Sequence, residues 1–218
     1  MEGRLEAARK LTMANREKPS SPRGTLSAIE QQAEVCRRCD LYKRATQTVF
    51  GDGPPGARIM LVGEQPGDAE DLEGKPFVGP AGQLLRRALE EAGIDLRDVY
   101  LTNVVKHFKW EPRGKRRIHK KPRHSEVQAC RVWLDEEIAH VKPRAIVALG
   151  ATAAHAVIGP AASVTRDRTK PFPSALAPFV TLTVHPSSIL RSPDSATRAA
   201  ERAHFVDDLR AIAARVEP

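Results

Sequence analysis

The sequence predicts an α/β protein, a three-layer α/β/α sandwich whose central sheet has four parallel strands. Four continuous apolar segments have the length of buried strands, and segments with helical apolar spacing separate them. Hydrophobic residues make up 41% of the 218 residues, which is enough for the core of one domain. Strands that alternate with helices form a parallel sheet covered on both faces. The predicted strands are 57–63, 99–106, 144–150 and 179–184.

Each predicted helix has its own sequence signal. Thr25 caps the first helix, Pro80 and Gly93 bracket the second, and apolar residues recur at steps of three and four between Val127 and Val141 in the third. The fourth helix is rich in small residues, and the last is amphipathic. Two long connections, the turn-rich acidic segment 64–79 and the segment 107–123, are predicted as loops. The predicted helices are 25–35, 80–93, 124–141, 151–158 and 194–216.

The chain divides into a short arm and one domain. Residues 1–24 mix charged residues, Ser and Pro without periodicity, which predicts a mobile N-terminal arm. Residues 25–218 form a single predicted domain without internal repeats. No apolar run approaches the ~18 residues of a membrane span, and the N-terminus lacks the apolar core of a signal peptide. We therefore expect a soluble, intracellular protein.

The net charge is concentrated in one segment. The chain carries 35 Lys and Arg against 27 Asp and Glu, a net charge of +8. Residues 106–123, the basic segment, contain nine basic residues and a single acid, so they account for the whole excess. A local patch of this kind suits a polyanion such as DNA, because neutralised phosphates release counterions. A solvated, disordered basic run is the alternative interpretation.

The three cysteines predict a metal or cluster site. Cys36 and Cys39 form a CxxC pair, and Cys130 lies far downstream. In a reducing compartment this odd set favours metal or cluster ligands over disulfides.

Polar motifs follow the predicted strands, where the binding site of a parallel α/β sheet is expected. The motifs are Gly63-Glu64-Gln65-Pro66-Gly67, Gly74-Lys75-Pro76-Phe77-Val78-Gly79, Thr102-Asn103-Val104-Val105-Lys106 and His185-Pro186-Ser187-Ser188-Ile189-Leu190-Arg191. Taken in order along the chain, they resemble the iron–sulfur uracil-DNA glycosylases known as family four. The similarity extends from about Cys36 to the final helix.

The sequence departs from the family-four pattern in two places. His107 stands where family four has a cysteine ligand, and the basic segment contains the run Lys115-Arg116-Arg117-Ile118-His119. This run is similar to the insertion of the UdgX branch, whose members excise uracil and stay bonded to the DNA sugar through the loop histidine. The resemblance therefore implies that His119 is a nucleophile. The alternative is one more cation that contacts phosphates, as expected for Lys115, Arg116 and Arg117.

The resemblance implies how uracil would be recognised. Phe77 would stack on the flipped base, and Asn103 would offer its amide to the 4-keto oxygen and the ring NH. His185 would donate to the 2-keto oxygen, where negative charge grows as the glycosylic bond breaks. Arg191 would hold its loop or a phosphate. Without the motif, Phe77 would be a core residue and Asn103 a cap or turn residue.

The first motif is assigned to the active centre on the same resemblance. Glu64 and Gln65 would act there, with Gly63 and Asp68 in support of substrate binding. A carboxylate near the anomeric carbon would stabilise the sugar cation, or it would activate water as a base. A solvated acidic turn is the alternative interpretation of these side chains.

The resemblance also implies a 4Fe–4S cluster held by Cys36, Cys39, His107 and Cys130. Histidine replaces cysteine in some other cluster types. A structural zinc site with three cysteines and one histidine is the alternative, and His124 is the competing fourth ligand.

Together these features predict a protein that excises uracil from DNA, preferably single-stranded, and becomes covalently linked to the deoxyribose through His119. We expect a monomer in the cytoplasm of a bacterium, acting at the nucleoid. A family-four enzyme that turns over and a metal-braced DNA-binding module without chemistry are the alternatives.

Overall fold

A computed structural model describes residues 24–216 and contains the predicted sheet. Four parallel strands lie in the order β2-β1-β5-β6, so the predicted α/β/α class is confirmed. Their burial on both faces explains the continuous apolar sequence of each strand. The strands are β1 (Ile59–Gly63), β2 (Val99–Asn103), β5 (Ala145–Leu149) and β6 (Phe179–Thr183).

Helices cover both faces of this sheet. They are α1 (Leu26–Glu34), α2 (Asp68–Glu73), α3 (Pro80–Glu91), α4 (His124–Val141), α5 (Ala151–Val157), α6 (Val164–Asp167), α7 (Pro186–Leu190) and α8 (Ser195–Ala213). Alternate strand residues point to opposite faces. One set, including Met60 and Ile146, packs with α4 and α5. The other set, including Leu61 and Val147, packs with α3 and α8.

The basic segment is folded, and the prediction of a plain loop over 107–123 was wrong. Residues Trp110–Arg113 (β3) and Arg116–His119 (β4) form an antiparallel hairpin that pairs Trp110 with His119. Gly114 provides the turn with a φ of +59°. The strands are short and mostly exposed, so they carry none of the apolar alternation that identifies a strand in sequence. This hairpin places His119 at the end of a defined strand.

The remaining differences are local. The second predicted strand, 99–106, ends at Asn103, and three short helices, α2, α6 and α7, were not predicted. The predicted arm at 1–24 lies outside the described residues except for Gly24. Within the described part of the chain, no helix is both long and apolar enough to cross a membrane. The single-domain organisation over 25–218 and the monomeric state stay predictions.

Candidate active site

A cleft of about 800 Å³ opens at the carboxyl ends of the parallel strands, where the sequence placed the site. We call it the main cleft. Its lining combines residues that follow β1, β2, β5 and β6 with the end of the hairpin. Of the predicted site residues, those lining it are Glu64, Gln65, Phe77, Asn103, His119, His185 and Arg191.

Gly63 brings Asn103 and Phe77 together on the cleft wall. Gly63 and Asn103 are register partners at the ends of β1 and β2. A Cβ atom on Gly63 would lie 2.8 Å from Cζ of Phe77 and closer still to Oδ1 of Asn103. Both side chains are nearly buried. Glycine is therefore required at position 63 because the neighbouring amide and ring occupy the space of a side chain.

Phe77 is held in a strained backbone conformation. Its φ is +56°, a left-handed value that a bulky residue rarely adopts. Gly82 in the first turn of α3 permits this, because a Cβ there would lie 2.6 Å from Cα of Phe77. The ring is stacked with that of His185, with centroids 6.1 Å apart and planes at 28°. The two rings thus form one wall that a flat base can pack against.

His185 presents a neutral imidazole with a defined tautomer. The backbone N–H of Ser187 donates to Nδ1 at 3.1 Å, so Nδ1 carries no proton. The hydroxyl of Ser187 is also 2.8 Å from Nδ1. Burial first, then the charges of Arg191 and His119, lower the pKa of His185 to about 4. At neutral pH the ring proton is therefore on Nε2, which is left as a hydrogen-bond donor.

A buried ion pair fixes the end of β2 behind Asn103. Nζ of Lys106 lies 2.6 Å from Oε2 of Glu137, and neither side chain is exposed to solvent. The same ammonium donates to the backbone oxygen of Asn103 at 2.8 Å and to the hydroxyl of Thr102. Lys106 therefore anchors the backbone of Asn103 from behind and is not available to DNA.

Glu64 and His119 face each other across the mouth of the cleft. Oε1 of Glu64 lies 3.4 Å from Nε2 of His119, and Oε2 accepts a short hydrogen bond from the hydroxyl of Thr152. Burial lowers the pKa of His119 from its ordinary value, Glu64 raises it, and Arg191 lowers it. The balance favours a neutral imidazole, the form that has a free lone pair.

Gln65 holds the hairpin in place. Its amide nitrogen donates to the backbone oxygens of Lys109 and Lys120 at 3.2 and 3.1 Å, and its oxygen accepts from the N–H of Lys109 at 3.2 Å. These bonds join the segment after β1 to the residues at the open end of the hairpin, just before β3 and just after β4. Gln65 therefore acts on His119 by positioning its strand, a role the sequence did not indicate.

Arg117 is bound to acidic side chains of the protein. Its guanidinium lies 2.5 Å from Asp68 and 2.5 Å from the fully buried carboxylate of Asp71. It also lies over the rings of Phe108 and Trp110. The expected phosphate contact of Arg117, and the expected place of Asp68 in the cleft, are therefore not what the structure shows. Both residues fasten the hairpin to α2.

Internal pairing leaves only part of the basic segment free for DNA. Lys106, Lys109, Arg117 and Lys120 each pair with an acid. Exposed cations without an ion pair among the described residues are Arg113, Lys115, Arg116 and Lys121. The first three lie at the hairpin turn, and Lys121 lines the main cleft. No motif or spacing in the sequence singles out Lys121 or Thr152.

Comparison with known proteins decides the family. Residues 50–210 match the model of the uracil DNA glycosylase superfamily. The chain belongs to this superfamily. It is 39% identical to the type-4 uracil-DNA glycosylase of Thermotoga maritima over 168 residues, 77% of this chain and 84% of that protein. It is 37% identical to the type-4 uracil-DNA glycosylase of Pyrobaculum aerophilum over 191 residues, 84% and 91% of the two chains. A type-5 uracil-DNA glycosylase of P. aerophilum is 36% identical over 121 residues, about half of each chain.

In this superfamily member the three cysteines lie near enough for Cys36 and Cys39 to affect the pKa of Cys130. Burial raises the pKa of the Cys130 thiol to about 12; Lys106 lowers it, and the neighbouring Cys36 and Cys39 raise it. The backbone N–H of Lys106 donates to Sγ of Cys130 at 3.2 Å. Cys130 is buried, whereas Cys36 and Cys39 are partly exposed. A buried thiol resists ionisation unless positive charge is bound beside it, and a coordinated metal supplies that charge. The chemistry of the three cysteines therefore fits thiolate ligands of a cluster.

The fourth ligand position is less defined. His107 is nearly buried, burial lowers its pKa, and its Nε2 lies 3.0 Å from the hydroxyl of Thr48. His124, the competing ligand, is exposed and lies 3.4 Å from the Gln128 amide. Among residues 24–216, no group of three or more His, Cys, Asp or Glu side chains is set closely enough to hold a single metal ion.

Proposed function

We propose that this protein removes uracil from DNA and then captures the resulting deoxyribose on His119, as in the UdgX branch. The observation that carries the second half is the position of His119, whose Nε2 lies 3.4 Å from the Glu64 carboxylate at the mouth of the main cleft. The first half is supported by the superfamily match and the type-4 relatives.

Recognition of the base follows from the cleft wall. A uracil flipped out of the DNA stack packs on Phe77, and its edge faces the Asn103 amide. Among the described residues, no other group forms a hydrogen bond with that amide. Cytosine reverses the donor and acceptor pattern of uracil at these positions. An amide that offers its N–H to the 4-keto oxygen and its oxygen to the ring N–H therefore selects uracil.

Bond breaking depends on His185. The bond between C1′ and N1 breaks with its electron pair on N1, which leaves a uracil anion and an oxocarbenium-like sugar. The Nε2–H of His185 donates to the 2-keto oxygen, where the negative charge gathers. One such donor contributes roughly 3–4 kcal/mol to catalysis. The Glu64 carboxylate stabilises the positive charge that develops on the sugar.

Capture follows within the same cleft. The lone pair of His119 forms a nitrogen–carbon bond to C1′, the imidazolium then loses its ring proton, and the uracil anion gains one proton. No water is consumed. A well-oriented neighbouring group reaches an effective molarity of roughly 10⁵–10⁸ M, so the imidazole exceeds bulk water by at least about a thousandfold. The product is a neutral alkyl imidazole, which is a poor leaving group, so the adduct persists.

A denaturing gel tests this function. The protein is mixed with a single-stranded oligonucleotide containing one uracil, and a matched thymine oligonucleotide is the control. We expect a slowly migrating protein–DNA band with the uracil oligonucleotide alone. An abasic product without that band identifies a turnover enzyme of the type-4 kind, which is the second candidate given its relatives. The absence of both the covalent band and the abasic product would contradict glycosylase activity altogether.

We also propose that Cys36, Cys39 and Cys130, with His107, hold a 4Fe–4S cluster. The interacting thiols support it, and the family resemblance implies it. When bound, the cluster would brace α4 and the segments beside the hairpin, and it takes no part in the chemistry above.

The purified protein should be brown, and iron and sulfide assays should give four of each. A colourless protein with one zinc would contradict this. His107→Cys should keep its iron because it restores four thiolates.

A further inference from the structure

A second groove of about 660 Å³ adjoins the main cleft. It runs between α4, from His124 to Asp135, and α5, from Thr152 to Ala156, and we call it the side groove. Lys121 and Thr152 line both the main cleft and the side groove, so the two are continuous at these residues. The function proposed above uses only the main cleft.

The charge at this junction suits a phosphate. Lys121 is exposed and has no ion pair among the described residues. Arg131, further along the side groove, is neutralised by Asp135 at 2.6 Å. The free positive charge is therefore at the point where the two spaces meet, and not along the length of the groove.

The walls of the side groove combine an imidazole face, apolar side chains and an amide. His155 is exposed, and its Nε2 lies 3.2 Å from the backbone oxygen of Ala162, which fixes the ring. Val127 and Leu176 supply apolar surface, and Gln128 is an exposed amide at the rim. Proteins that bind single-stranded nucleic acids hold a base by stacking it on such rings and bonding its edge with such amides.

We propose that the side groove binds the nucleotide next to the flipped uridine, with the phosphate between the two nucleotides on Lys121. The base of that neighbour stacks on His155, and Gln128 contacts its edge. This inference rests on the proposed function, since it needs a uridine in the main cleft. It adds a second nucleotide subsite, which makes one flank of the strand part of the recognised substrate.

The test compares oligonucleotides that differ in one flank. Single strands containing 2′-fluorodeoxyuridine, whose electron-withdrawing fluorine slows bond cleavage, are prepared with both flanks, without the 5′ flank and without the 3′ flank. Affinity is measured by fluorescence anisotropy for the full-length protein and for His155→Ala, Gln128→Ala and Lys121→Gln. The matched controls are two exposed residues away from both clefts. His204→Ala lies on the exposed face of α8, and Arg144→Gln lies before β5, at the amino-terminal ends of the strands.

We expect the wild-type protein to lose at least about fivefold in affinity when one of the two flanks is removed, and much less with the other. His155→Ala should lose a similar factor in affinity for the doubly flanked strand. For the strand that lacks the important flank, its affinity should equal that of the wild type. Lys121→Gln should lower the slope of log affinity against log salt by about 0.7, the value for one phosphate on a single strand. The two controls should match the wild type.

Wild-type affinity of His155→Ala and Gln128→Ala for the doubly flanked strand would overturn the proposal. So would a defect that persists equally on every truncated strand. Uracil release from ordinary deoxyuridine strands is measured in parallel. Its absence would contradict the glycosylase function, while the flank-dependent affinities would still decide whether the side groove holds a nucleotide.

Discussion

Nε2 of His119 lies 3.4 Å from one carboxylate oxygen of Glu64, and the hydroxyl of Thr152 binds the other oxygen. The carboxylate is thus turned toward His119 before any DNA is bound. In the proposed function, this arrangement places the group that stabilises the sugar cation beside the group that captures it. The orientation of the Glu64 carboxylate depends on two elements, because Glu64 follows β1 and its partner Thr152 belongs to α5.

Removal of the Thr152 hydroxyl should slow adduct formation without changing the product. A hydrogen bond to a charged group contributes about 1.5–3 kcal/mol, so Thr152→Val should reduce the rate by roughly tenfold or more. Thr152→Ser keeps the hydroxyl and should restore most of the rate. The measurement is the rate at which the covalent band appears with excess protein. Equal rates for the valine and serine variants would show that the hydroxyl does not position Glu64.

The rate of capture should fall at acidic pH. Burial lowers the pKa of His119 below the ordinary value of about 6.5, so the neutral imidazole persists below that pH. Above the lowered pKa the rate should be constant. Below it, the protonated ring has no lone pair, and the rate should fall about tenfold per pH unit. The pKa of His185 is about 4, so His185 stays neutral through most of this range.

Single-turnover gels from about pH 5 to about pH 8 measure this profile. The midpoint of the decline is compared with about 6.5, the pKa of an unperturbed histidine. His119→Ser supplies the control, because its release of uracil should lack the acidic decline that comes from residue 119. A covalent-band rate that rises as pH falls would show that the protonated imidazole is the active form.

The sequence predicted the parallel sheet and α4 well but not the hairpin around His119. Buried strands are continuous apolar runs, and α4 repeats apolar residues at helical steps, so both leave a strong pattern. The hairpin is stabilised by Gln65, just after β1, and by Arg117 with Asp71 on α2, contacts between residues far apart in the chain. Charge alone therefore suggested a DNA-binding loop, whereas five of the nine cations in this segment pair with acids of the protein.

Substitution of Gly63 by alanine should impair uracil recognition. The new methyl group would collide with the Asn103 amide and with Cζ of Phe77, which must both move. We expect a loss of about 1–3 kcal/mol in the free energy of unfolding and a larger relative loss in uracil excision. In an Asn103→Ala background the same substitution should cost much less, because the clashing amide is gone. Additive effects would show that Gly63 and Asn103 do not share the space as described.

Neighbouring arginines of the hairpin should have opposite roles. Arg116→Gln should leave the free energy of unfolding within about 0.5 kcal/mol of wild type. It should lower the salt dependence of binding to single-stranded DNA by about 0.7 in slope. Arg117→Gln breaks a pair with buried Asp71 and should destabilise the fold by about 3 kcal/mol. Denaturant unfolding and salt titrations measure both. An equal loss of salt dependence in the two variants would place Arg117 on the DNA.

The replacement of His119 by serine should convert the protein into a turnover glycosylase. Serine is a weak nucleophile, and its shorter side chain withdraws from the Glu64 carboxylate and admits water to the cleft. Asn103 and His185 are untouched, so uracil should still be released, and water should then attack the sugar to give an abasic site. The covalent band should disappear while several uracils are released per protein. His185→Ser, by contrast, should slow the appearance of the covalent band without abolishing it, because leaving-group stabilisation precedes capture.

A His119→Ser variant that still forms the adduct at the normal rate would mean that another residue is the nucleophile. One that neither crosslinks nor excises would mean that His119 also takes part in breaking the bond.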